Sequence, residues 1–438
     1  MRPFRTPPVV PRLRLLASLL LPGLLGCSGP SDPPPPDVLL IVIDTLRADR
    51  LTPYANPGRA TSPRLQELVE AGEFEVLEGL VASSSWTKPS MATIWTGLDP
   101  VDHDVMRLQG DHARLGEQPT LPELMRAGGY RTGCVMSNFL LTRRMGAGFD
   151  RGFDYWDDAP GRHPDPHRGS TAADVAASGI AWLEESATPG PRFLMLHFFD
   201  PHASFEDHPE VDFAPADYEG WVVPGASTDL LRERAKGTSE ADHEALLGWY
   251  DEEVWAVDRA IGRVVDTLKA QGRWDSTVVM ITADHGEELG ERGHIGHTQT
   301  LWTELVEVPL LVRVPPDYRD RWSLPASPAG GYAMKQLMPA LLGVAGQEPP
   351  AGVTVDAPAV LVSQVDFEPV RKEHLEKYVQ KTAIRAEGYQ LTHDRIGDQR
   401  TLHDLRADPG TNAPLPPDHP AWERMRELEA AQSFWEDR

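Results

Sequence analysis

Val38-Leu39-Leu40-Ile41-Val42-Ile43 is an unbroken apolar run that ends on Asp44. Two more of the same form follow: Phe193-Leu194-Met195-Leu196-His197-Phe198-Phe199 ends at Asp200, and Val278-Val279-Met280-Ile281-Thr282 leads to Asp284-His285-Gly286. A strand with no polar face is what a parallel sheet covered on both sides requires. Amphipathic helical spacing fills the intervals, so the chain reads as α/β, with a mostly parallel central sheet flanked by helices. In an open sheet of that kind ligands bind beyond the carboxyl ends of the strands. Carboxylates delivered there from positions 44, 200 and 284 therefore predict one converging site. A lone Asp after a strand is ordinarily a turn or a helix cap. His202 and His285, beside two of the three, argue for chemistry instead.

A fourth element is Ser85-Trp86-Thr87-Lys88-Pro89-Ser90-Met91-Ala92-Thr93-Ile94-Trp95-Thr96-Gly97. Pro89 suits an early helical position and Gly97 a helix end, which puts Thr87 at or just before a helix N-terminus. Unpaired amides and the positive end of the helix dipole there favour an alkoxide and a bound oxyanion. Taken alone, Thr87 reads more readily as a plain helix cap than as a nucleophile.

The composition narrows the classes. The 438 residues are 40% hydrophobic, enough for a large core, and 66 acids against 42 bases give a net charge of -24. Affinity for a nucleic acid backbone is not expected of such a chain. Cys27 and Cys134 are the two cysteines; they exclude a disulfide framework and a thiolate-rich metal site. Cys134, in Arg131-Thr132-Gly133-Cys134-Val135-Met136, reads as a small buried hydrophobe on a strand.

The N-terminus reads as an address. Arg2, Arg5, Arg12 and Arg14 precede the apolar run 15–21, the pattern of an export signal. Leu24-Leu25-Gly26-Cys27 is similar to a bacterial lipobox, which implies a lipoprotein signal peptide over 1–26, lipidation at Cys27 and an envelope location, periplasmic or outer membrane, with Ser28 favouring the outer one. An ordinary secretory signal with an incidental cysteine is the alternative. A Pro-rich tether at 27–36, with Pro33-Pro34-Pro35-Pro36 as a stiff spacer, then leads to a catalytic domain at 37–347. Gln336 to Gly343 reads as a helix closing that domain, and the Pro/Gly-rich 346–352 as its boundary. Short strand-like runs at 359–362, 382–385 and 389–392 predict a small antiparallel sheet in a C-terminal α+β subdomain at 348–438. Residues 422–428 have helical spacing.

Read together, these pieces resemble the sulfatase family of the alkaline phosphatase superfamily, over Asp37 to roughly Gly410. Asp44-Thr45-Leu46-Arg47-Ala48-Asp49 is similar to its first metal-binding strand end, Thr87 through Gly97 to its nucleophile motif, and Asp200-Pro201-His202 to its substrate-histidine segment. Thr282-Ala283-Asp284-His285-Gly286-Glu287 is similar to its second metal motif, and Gly296-His297, Val308-Pro309-Leu310 and Leu402-His403-Asp404-Leu405 continue the likeness. The resemblance implies an alkaline-phosphatase-like fold. Formylglycine sulfatases carry Cys or Ser where Thr87 stands and Arg where Met91 stands. Threonine cannot become that aldehyde, because its β-carbon bears a methyl. Threonine nucleophiles in the superfamily instead resemble phosphodiesterases, phosphonate hydrolases and phospho-headgroup transferases.

The resemblance further implies one divalent metal ion held by Asp44, Thr87, Asp284 and His285, with Mn or Zn favoured by the imidazole and Ca or Mg compatible with the oxygens. Thr87 would attack in line, His202 and His297 would bind equatorial oxygens or protonate the leaving alkoxide, and Lys88 would add positive charge unless it is a solvated loop lysine. Asn138 would line the pocket or serve its own turn, and Asp200 would shape the loop that aims His202. Asp49 reads as structural and His294 as an exposed loop residue. The expected activity is hydrolysis of sulfate or phosphate esters, phosphodiester or phosphonate favoured, through a covalent threonine intermediate. Alternatives are a transferase moving a phospho-headgroup onto an envelope glycan or lipid, and a non-catalytic glycan-binding lipoprotein. The substrate is thus a small-molecule, glycan or lipid ester, with contact to membrane through the lipid anchor only.

Overall fold

Leu40, Ile41 and Val42 are fully buried, each burial being worth about 2 kcal/mol relative to exposure, and they form the middle of the sheet. A computed structural model describes residues 33–54, 58–162, 172–185, 190–326, 328, 330–368 and 378–435. The expected signal peptide, Cys27 and the first part of the tether lie outside the described residues. The strands of the main sheet are β1 (Asp37–Ile43), β2 (Glu75–Val81), β3 (Arg131–Met136), β4 (Tyr155–Asp157), β5 (Arg192–Phe198) and β6 (Thr277–Ala283). After the short hairpin of β7 (Glu288–Leu289) and β8 (Ile295–Gly296), β9 (Glu307–Arg313) and β10 (Tyr332–Ala333) complete it. Their order is β10-β2-β9-β6-β1-β5-β3-β4. β1 runs parallel to both β5 and β6, and β9 runs against its neighbours.

Register decides where the site forms. Ile43 is level with Phe198 on one side and Ala283 on the other, so the three central strands end together. The Asp44 amide continues the ladder, donating to Phe198 O at 2.8 Å. Thr45 then takes the left-handed conformation, φ 56°, and is fixed there by Tyr250. That phenol, on the 31-residue helix Glu240–Ala270, donates to Thr45 O at 2.8 Å and accepts from the Arg47 amide at 2.9 Å.

The C-terminal strands β11 (Leu361–Phe367), β12 (Val379–Ala386), β13 (Tyr389–Asp394) and β14 (Gln399–Asp404) form an antiparallel sheet in sequence order. β11 begins at Leu361, within the expected 359–362, and runs on to Phe367. From Pro35 onward the chain is one compact unit. Gln364 N donates to Ser83 O at 2.8 Å and Ser363 Oγ to Ala82 O at 2.6 Å, so β11 braces the segment that leads to Thr87. Trp86 meets Phe367 edge-on, ring centroids 5.6 Å apart. Helices span Leu337–Val344 and Ala421–Ala430, where the spacing predicts them. Cys134 is buried on β3. Among the described residues no helix is long and apolar enough to cross a membrane.

Candidate active site

Two of the three strand-end carboxylates meet. Asp44 and Asp284 directly follow the last residues of β1 and β6, and both are fully buried. Asp284 Oδ1 accepts the amides of His285 (2.8 Å) and Thr45 (3.3 Å), which leaves Oδ2 without a hydrogen-bond partner, as is Asp44 Oδ1. His285 Nε2 lies 3.6 Å from Asp44 Oδ1 and 3.6 Å from Asp284 Oδ2. Its Nδ1 faces Gly286 O at 2.9 Å, and since a carbonyl only accepts, Nδ1 carries the proton and Nε2 presents a lone pair.

Asp200 does not join them. It is the second residue after β5, beyond the level at which Asp44 and Asp284 leave the sheet, and it lies beside Glu253 of the long helix. Burial, and then the charge of Glu253, push its carboxyl pKa well above the usual range. The histidine inside that strand takes the place instead. His197 pairs in register with Val42, is fully buried, has no partner at Nε2 and stands 4.0 Å from Asp44 Oδ2. Burial pushes its pKa down to about 4, which keeps the imidazole neutral. The lone ligand atoms of Asp44, His197 and Asp284 all lie within 4.8 Å of one another. Buried carboxylate oxygens without donors are costly unless a cation satisfies them, and a set of two carboxylates and an imidazole suits a divalent ion. Burial, and then the charge of Asp284, raises the Asp44 pKa well above its ordinary value.

Thr87 opens the buried helix Thr87–Thr96, which ends at Gly97 in the left-handed conformation, φ 67°. Its Oγ1 lies 3.4 Å from His285 Nε2 and 3.4 Å from Asn138 Nδ2. Asn138 performs both roles open to it: Oδ1 accepts the Leu140 amide at 2.8 Å in its own turn, while Nδ2 donates to Asp44 Oδ2 at 2.6 Å. Three histidines form a wall: the His202 ring lies 5.0 Å from that of His297, which lies 4.6 Å from that of His285. His202 stacks on Phe199 at 4.4 Å with Nδ1 2.7 Å from Ala203 O, and His297 Nδ1 faces buried Glu287 Oε1 at 2.9 Å.

Lys88 is buried, not a solvated loop lysine. Its Nζ donates to Leu108 O (3.0 Å) and Ala113 O (3.3 Å) rather than to Thr87 or either carboxylate. Burial, and to a lesser degree Arg114, lower its pKa to about 8. Asp49 pairs with Arg47 through both oxygens, at 2.9 and 2.8 Å, and His294 is exposed.

Fold and site together define an ester hydrolase with the alkaline-phosphatase-like fold. The chain belongs to the sulfatase family: the family model for Sulfatase matches residues 36–347. An ulvan-active sulfatase of Formosa agariphila is 25% identical over 82% of this chain and 70% of its own length. An N-acetylglucosamine-6-O-sulfatase of Bacteroides thetaiotaomicron is 22% identical over 90% of this chain and 86% of its own. Among solved structures, a 2-O GAG sulfatase superposes with a TM-score of 0.71 at 20% identity, each chain covered to 90%. A phosphonate monoester hydrolase of Agrobacterium radiobacter gives 0.66 at 19%, covering 90% of this chain and 95% of that one. The family is metal-dependent, and the Asp44–His197–Asp284 cluster is a fitting place for the ion.

Proposed function

We propose that the protein hydrolyses sulfate or phosphate esters, with phosphodiesters or phosphonates favoured, through a covalent ester on Thr87. The observation that carries this reading is the Thr87 hydroxyl at a helix N-terminus, within 3.4 Å of both His285 Nε2 and Asn138 Nδ2, beside two carboxylates with unpaired oxygens. The residues that would hold a divalent ion are Asp44, Asp284, His285 and His197, with Thr87 Oγ1 beside them. Bound there, such an ion lowers the pKa of a neighbouring hydroxyl and neutralises a substrate oxygen; Mn or Zn suits the imidazoles best. Thr87 Oγ1 gives its proton to solvent and attacks phosphorus or sulfur, its new bond forming as the bond to the leaving oxygen breaks, while Asn138 holds its orientation. His297, whose Nδ1 is held by Glu287 Oε1, protonates the leaving alkoxide, and His202 binds a non-bridging oxygen. Water then displaces threonine at phosphorus or sulfur, since no aldehyde route through the Thr87 Cβ exists.

Glycan sulfate esters belong among the candidate substrates because relatives are named for them. With Mn or Zn, the purified protein is expected to cleave a p-nitrophenyl phosphodiester, phenylphosphonate or sulfate. Thr87→Ala should lower turnover by about 10³-fold or more while the fold survives, and a trapped adduct should map to Thr87 by peptide mass spectrometry. Hydrolysis untouched by Thr87→Ala refutes the nucleophile, and turnover that requires an added alcohol acceptor selects a transferase instead. Lipidation at Cys27 and an envelope location are proposed from the sequence alone; loss of palmitate labelling in Cys27→Ser is the check.

A further inference from the structure

The short helix Thr228–Arg234 and the turn Ala235–Gly237 that follows it pack against the β7–β8 hairpin, which leads directly into His297. Arg232 lies across the last residue of β8: a Cβ added to Gly296 would stand 2.9 Å from Arg232 Nε and 3.2 Å from its Nη2. Gly296 has φ 116°, a conformation that glycine adopts without steric cost, and its bare backbone is the floor on which the guanidinium rests. One turn further on, Lys236 packs on Gly293 in the same way, its Cγ 3.6 Å from the position of an added Cβ. Two cations four residues apart thus face the hairpin that carries His297.

Arg232 is exposed, and its side chain makes no hydrogen bond or ion pair among the described residues. Its charge is nevertheless felt at buried Glu287, the partner of His297, which places the guanidinium at the rim of the histidine wall. Carboxylates are plentiful in a chain with 66 acids and 42 bases, yet none is paired with this arginine, not even Asp229 or Glu233 of its own helix. A planar guanidinium with a free fork matches the oxygens of carboxylate, sulfate and phosphate two at a time.

We infer that Arg232 determines specificity by binding an anionic group on the alcohol portion of the ester, so that the substrates are esters of alcohols that themselves carry a carboxylate, sulfate or phosphate. The assignment to that portion rests on the reading of His297 as the acid for the leaving alkoxide, since Gly296, under the guanidinium, is the residue before it. The probes are benzylphosphonates, in which a methylene stands for the bridging oxygen, so that binding is read without turnover. The full-length protein with Mn is titrated calorimetrically with the 3- and 4-carboxy compounds and with their neutral 3- and 4-carbamoyl counterparts, at two salt concentrations. Wild type is expected to bind the better carboxy compound about tenfold more tightly than its carbamoyl counterpart, with a smaller ratio at higher salt. Arg232→Gln should bring that ratio below about twofold and Arg232→Lys should keep part of it, because a point charge replaces the fork. Arg259→Gln, on an exposed position of the long helix, should keep all of it. Equal binding of carboxy and carbamoyl compounds by wild type, a ratio that survives Arg232→Gln, or one lost equally in Arg259→Gln overturns the inference and leaves the Thr87 reading standing. Failure of all four compounds to bind wild type overturns the Thr87 reading and the inference with it.

Discussion

Asn138 Nδ2 donates to Asp44 Oδ2 at 2.6 Å, and this one bond turns the other oxygen of Asp44 toward His285 and away from any donor. An amide that aims a candidate ligand in this way is worth about 10–100-fold in metal affinity where such partners have been removed. Asn138→Ala should therefore weaken Mn or Zn binding by that factor. Titration calorimetry would read it, and unchanged affinity would mean that Asp44 needs no aiming.

Removal of divalent ions should destabilise the fold. The unpaired oxygens of Asp44 and Asp284 both lie within 3.6 Å of His285 Nε2, and no ordinary donor compensates them. Excess chelator is expected to lower Tm, and metal to restore it. Asp284→Asn, with one charge fewer to compensate, should show a smaller chelator shift. An equal shift in both proteins would place the stabilising ion elsewhere.

Gly286 is a packing requirement inside the metal motif. A Cβ there would stand 1.9 Å from Glu304 O, a rigid backbone atom, and the Gly286 amide already donates to Leu305 O at 2.8 Å. Gly286→Ala should cost about 3 kcal/mol and shift the Asp284–His285 turn, measured as a fall in Tm together with lost metal binding. Gly237→Ala, with nothing within 4 Å of the added carbon, should leave both nearly unchanged.

The apolar runs made the sheet legible because burial on both faces removes any alternation, and the strand-end aspartates followed from it. What the runs conceal is level. Asp200 looks equivalent to Asp44 and Asp284, but β5 ends at Phe198, so Asp200 leaves the sheet one residue late and turns toward Glu253. His197 was hidden for the converse reason, since a histidine within an apolar strand reads as core until the register with Val42 sets it at the edge. A histidine second from the end of a central parallel strand is the signal that would have marked it. Lys88 likewise could not be read, because its carbonyl partners at 108 and 113 lie in a loop without periodicity.

Asp258 gives the molecule a stability term that falls with rising pH. It is 1% exposed and accepts the amides of Arg64 (2.8 Å) and Leu65 (2.9 Å) at the start of the helix Pro63–Glu70. Burial is the largest influence and raises its pKa from 3.8 to about 7, only partly opposed by those amides. The folded state thus binds a proton that the unfolded state has released between these values, so this group's contribution is complete below about pH 4 and is lost as pH climbs to 7. A shift of that size corresponds to a ceiling of about 4 kcal/mol. Asp258→Asn removes the titration and forfeits one amide bond, a cost of about 1 kcal/mol that does not vary with pH. Urea denaturation of both proteins at pH 4, 5.5 and 7 should show the difference moving steadily in favour of the Asn variant. A difference that stays flat would mean that the carboxylate is ionised in the folded protein across the whole range and that the helix amides outweigh burial.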